Sequence, residues 1–122
     1  MRRSLLVLAS SLAGFVASTA SAHHSFAMFD QESTITLQGT VREFQWVSPH
    51  CWIQLVVENE EQETVEWSIE MSGPGGLSRR GWKPGTLKPD DKVTIVARPL
   101  LSGEPGGSFV SIVLPNGEQL GR

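Results

Sequence analysis

Three histidines, His23, His24 and His50, make up the whole imidazole inventory of the chain, and two of them are adjacent. Their chemistry depends on where the mature chain begins. If an export leader is cut after Ala22, His23 gains a free α-amine beside its own imidazole, and the two nitrogens close a ring around a borderline metal ion. The amine is deprotonated readily for this role, with a reference pKa of about 7.7. His50 would add a third nitrogen from across the fold, giving a set that resembles a histidine brace. His24 offers a second mode, in which amine, intervening amide and imidazole bind Cu(II) in one plane without His50. The sequence leaves both modes open. Copper is the leading ion because tetragonal nitrogen ligation suits Cu(II), which also heads the affinity order for divalent first-row metals; zinc is its rival.

The leader itself is legible. Arg2 and Arg3 precede an apolar run from Leu5 to Val16 and the small-residue stretch Ala20-Ser21-Ala22, the order of a secretory signal over residues 1–22. The apolar run is shorter than the roughly 20 residues that a spanning helix needs. A periplasmic or secreted product without a membrane span is therefore expected, and the Sec and twin-arginine routes stay open. Removing the leader takes away two arginines, moving the formal charge from -3 to -5. An acidic product is a poor partner for nucleic acid.

Other residue types narrow the chemistry. There is one cysteine, Cys51, and no tyrosine, so no disulfide can form within the chain. Cys51 and His50 are neighbours on an expected strand and point to opposite faces, which speaks against a nucleophilic pair; Cys51 reads as a buried hydrophobe. The glutamates at 58, 60, 61, 63 and 66 read as a solvated hairpin tip and strand face. No serine has the histidine and carboxylate spacing of a triad, and Gly73-Pro74-Gly75-Gly76 lacks the lysine of a phosphate loop. No enzyme signature emerges and no catalytic residue is assigned. The alternative to a metal site is a non-catalytic envelope module that grips a glycan, peptide or protein. Its surface would be formed by Trp46, Trp52 and Trp82, with Arg79 and Arg80 available to an anionic group.

These residues are positioned by strands. Ile35, Leu37, Gly39 and Val41 alternate with polar residues, and the apolar parity then switches to Phe44 and Trp46, as a bulge in a long first strand would require. Trp52 to Val57 reads as a second strand. In the third, Val65, Trp67, Ile69 and Met71 face one side and Thr64, Glu66, Ser68 and Glu70 the other. Ser72 to Gly76 breaks the pattern, and a short helix or turn is expected over Leu77 to Gly81. Val93, Ile95 and Ala97 mark a fourth strand, Val110, Ile112 and Leu114 a fifth, and Asn116-Gly117 a final hairpin turn. The order predicts an all-β fold, a small five-stranded OB-like barrel with a short helix or turn between strands 3 and 4. The domain would occupy residues 34–122, preceded by a tail over 23–33.

The run Ala22-His23-His24-Ser25-Phe26-Ala27-Met28-Phe29-Asp30, with Gly39-Thr40-Val41, Phe44-Gln45-Trp46, Pro49-His50, Trp52-Ile53 and Gly81-Trp82, resembles a small exported bacterial family of unknown function. The resemblance covers nearly the whole mature chain. It departs at Cys51, where a small or aliphatic residue is usual, and at Asp90, where glycine commonly precedes Asp91. It implies export and a compact domain, and it supplies no activity.

Overall fold

The computed structural model describes residues 26–121. The expected leader and the histidines at 23 and 24 lie outside the described residues. After a 3-10 turn at Phe26–Met28 come β1 (Ile35–Gln45), β2 (Trp52–Glu58), β3 (Thr64–Glu70), the helix α1 (Pro74–Ser78), β4 (Lys92–Pro99), β5 (Gly106–Val113) and β6 (Gln119–Gly121). The strand order is β3-β2-β1-β4-β5-β6, and β3 also pairs with β5 in parallel. That last pairing closes β1 to β5 into the expected five-stranded barrel. β6 extends β5 beyond the closed ring, through the turn anticipated at Asn116-Gly117. Gly117 has φ 85° there, a conformation that glycine adopts without a Cβ penalty.

β1 serves two neighbours because it bends. Its first half, Ile35 to Thr40, pairs with β4, and its second half, Thr40 to Gln45, pairs with β2. The register slips between Val41 and Glu43, where the apolar parity of the sequence switches. The extra residue turns both Val41 and Phe44 toward the interior.

Two elements depart from the expected pattern. The helix begins at Pro74, ahead of Leu77, since Pro stands in its first turn and Gly73 caps it. A proline there loses no helix hydrogen bond and presets φ. In β5 the buried hydrophobic side chains are Phe109 and Ile112, in place of an even Val110, Ile112, Leu114 alternation. A second register shift, where Val96 pairs with Ser111 and Ala97 with Phe109, changes which side chains face inward.

The core runs through the barrel and under α1. Val41, Ile53, Leu55, Ile69, Leu77 and Ile95 are fully buried. Trp82 follows the positive-φ Gly81, three residues beyond the C-cap Arg79 of α1, and is part of the core. Its ring lies 5.9 Å from that of Phe44 and 5.5 Å from that of Phe109, within the range of favourable aromatic pairs. Its indole Nε1 donates to the carbonyl of Gly121 at 3.2 Å, so β6 satisfies the one polar atom this side chain brings inside. Among the described residues no helix is long and apolar enough to cross a membrane.

Candidate functional site

The β2–β3 hairpin sets the outer face of the barrel. Trp52 pairs with Glu70, Gln54 with Ser68 and Val56 with Glu66, while the intervening Ile53, Leu55 and Ile69 are buried. Alternation therefore sends Trp52, Gln54, Glu66, Ser68 and Glu70 outward together. Ser68 Oγ donates to Gln54 Oε1 at 2.6 Å, and Gln54 Nε2 donates to Gln45 Oε1 at 3.1 Å. Across from this face stand the β4–β5 loop and the lead-in segment. Leu101 N donates to the carbonyl of Met28 at 2.9 Å, and Phe29 forms an isolated bridge with Leu100.

Between these walls lies a groove of about 520 Å³ lined by Met28, Phe29, Trp52, Glu66, Ser68, Glu70, Leu100 and the stretch from Glu104 to Gly107. The volume falls within the range of small-ligand sites. In OB-type barrels ligands bind on the strand 2–3 face, flanked by the loops that follow strands 1 and 4; this groove shares that face and the second of those loops, the β4–β5 loop.

The β1–β2 loop brings His50 to its edge. Cys51 N donates to the carbonyl of Ser72 and Met71 N to that of Cys51, tying the entry of β2 to the exit of β3. Gly73 lets the chain pass close by, since a Cβ there would stand 2.6 Å from the carbonyl oxygen of Pro49. His50 Nδ1 then meets Glu70 Oε1, with the two side chains 38% and 15% exposed. A carboxylate accepts only. Nδ1 is the ring nitrogen that faces the carboxylate, and Nε2 is the second nitrogen of the ring.

The family of unknown function DUF6152 matches residues 12–109. The chain belongs to this family. The match includes His23, His24, His50, Trp52 and Glu70. No curated protein and no solved structure matches the chain.

The DUF6152 structure separates the tryptophans that the sequence grouped into one surface. Trp52 lines the groove. Trp46 is half-buried, edge-on to Phe44 at 5.8 Å. Trp82 is 1% exposed, so its ring belongs to the core and is closed to a ligand; the aromatic contacts with Phe44 and Phe109 are the reason. Arg79 and Arg80 are exposed at the end of α1 and are not part of the groove lining. The groove carries the opposite charge, through Glu66, Glu70 and Glu104. Cys51 is fully buried with Sγ 3.7 Å from the carbonyl oxygen of Val47, and burial pushes its thiol pKa up, as suits a packing residue.

Among the described residues of this DUF6152 chain, no group of three or more His, Cys, Asp or Glu could hold a metal ion. His23 and His24 lie outside the residues to which this applies. Glu70 is the partner that residue-by-residue reasoning missed. The signal was present: it sits on the polar face of the third strand, and hairpin pairing sets it opposite Trp52, two residues beyond His50.

Proposed function

We propose that this protein is an exported, periplasmic metal-binding protein that takes copper, with zinc as the competing ion, through the histidine at its mature N-terminus. The observation that carries the reading is the pairing of His50 with Glu70. Metal-bound histidines almost always donate their second ring N–H to a carboxylate, carbonyl or water, which fixes the ring and raises ligand basicity. His50 has that partner, and its Nε2 is the atom left for a metal. The lead-in also supports the reading. Phe26 to Phe29 runs beside the groove that contains Glu70, and the three residues from His23 to Phe26 span at most about 10 Å. His23 would supply amine and imidazole, His50 a third nitrogen, and His24 the competing planar mode. Such a site suits storage, delivery or tolerance of the metal.

The test is the mass of the exported protein, denatured and native, after exposure to limiting copper. A chain beginning at His23 that retains one copper is expected. Adding one residue before His23 and replacing His50 with Ala should each weaken binding. Copper affinity unchanged by both alterations would overturn the reading.

The groove favours a second reading, a non-catalytic envelope module that binds a peptide or protein segment. It is supported by the coincidence of an aromatic-walled groove with the ligand face of the fold.

A further inference from the structure

Among the described residues, the large hydrophobic side chains left exposed are Phe26, Met28, Val47 and Leu101, at 59%, 53%, 51% and 67%. They do not lie on scattered elements. Phe26 and Met28 belong to the lead-in and Leu101 to the β4–β5 loop bonded to it, the two segments that form one wall of the groove. Val47 belongs to the β1–β2 loop, which carries His50. Exposed apolar groups gathered beside a concave face mark an interaction surface.

The charge of the groove selects among partners. Its lining includes Glu66, Glu70 and Glu104 and no lysine, arginine or histidine. Glu66 is paired with Arg42 at 3.2 Å, but both side chains are largely exposed, and such a pair is worth little and is easily exchanged. Trp52 adds an aromatic wall of the kind that attracts an ammonium or guanidinium group. A surface of this sign repels the anionic headgroups of a membrane.

We infer that this groove binds an extended peptide segment of a partner protein in which a lysine or arginine lies between apolar side chains, the base meeting Glu66 and Glu104 and the apolar groups meeting Met28 and Leu100 of the lining and the exposed Leu101 next to it. The inference rests on the second reading above and assigns the sign of its ligand.

The experiment uses the metal-free exported protein, labelled with nitrogen-15, and three capped hexapeptides that alternate leucine with lysine, with serine or with glutamate. The leucine-lysine peptide should produce saturable shifts centred on the Trp52, Ser68 and Gly106 amides. The double variant Glu66→Gln, Glu104→Gln should weaken it by roughly 3- to 30-fold, the sum expected for two exposed charge contacts, without changing the melting temperature. Leu101→Ser should weaken it as well. Equal binding of the serine or glutamate peptide at the same amides would overturn the charge assignment while sparing the peptide reading. No shift with any peptide would overturn both. Cosedimentation with phosphatidylglycerol vesicles, lost in Leu101→Ser, would identify a lipid surface and overturn the inference in favour of a membrane contact.

Discussion

His50 Nδ1 meets Glu70 Oε1 across the junction between the β1–β2 loop and the end of β3. The carboxylate is largely buried, at 15% exposure, and the imidazole is partly open, at 38%.

Replacing Glu70 with Gln removes the charge and leaves a side chain of the same size. The expected loss in copper affinity is about 10- to 100-fold, the usual effect of removing the group that orients a metal-bound histidine. Copper titration followed by the visible spectrum checks it. A melting temperature close to that of the parent would assign the loss to orientation of His50.

Cys51 gives a pH signature. Its folded-state pKa is raised above the ordinary thiol value of 9.0 by burial, so the folded chain retains a proton that the unfolded chain releases. The contribution to stability is fully present below pH 9 and is lost as pH rises beyond it. The denaturant midpoint should fall above pH 9, and the part of that fall due to the thiol should vanish in Cys51→Ala. A maleimide reagent should label Cys51 slowly in the folded protein and rapidly in denaturant.

The β4–β5 pairing depends on close backbone approach at Gly107. A Cβ there would stand 2.8 Å from the carbonyl oxygen of Arg98 and 3.1 Å from the Cβ of Ala97. Gly107→Ala should destabilise the fold by about 1–3 kcal/mol, as overpacking does. Gly85→Ala is the control, because nothing lies within 4 Å of a Cβ at that position. Thermal denaturation of the two variants measures the difference.

The tryptophans should divide by role. Trp82→Ala should cost about 3–5 kcal/mol, the range for emptying a large aromatic site in a core, and should loosen β6 through loss of the bond to Gly121. Trp52→Ala should leave the unfolding midpoint much closer to that of the parent and abolish the fluorescence response of the groove to ligand. Urea unfolding and fluorescence titration separate the two outcomes.

Much of the fold follows from local pattern. Period-2 alternation located β1 to β4, the parity switch between Val41 and Phe44 located the bulge, and Asn116-Gly117 located the last turn, because strand faces and turn conformations are dictated by neighbouring residues. The expected leader and the adjacent histidines are likewise read from linear sequence, without any fold. Closure of the barrel and the face of β5 were decided by tertiary structure. The parallel β3–β5 contact and the shift at Val96 and Ala97 join segments far apart in sequence, and pairing energy, not local alternation, chose which side of β5 turned inward. The same holds for the site. The sequence named His50 and Trp52, but the register of the hairpin joined Glu70 to one and set it opposite the other, and packing against Phe44 and Phe109 withdrew Trp82 into the core.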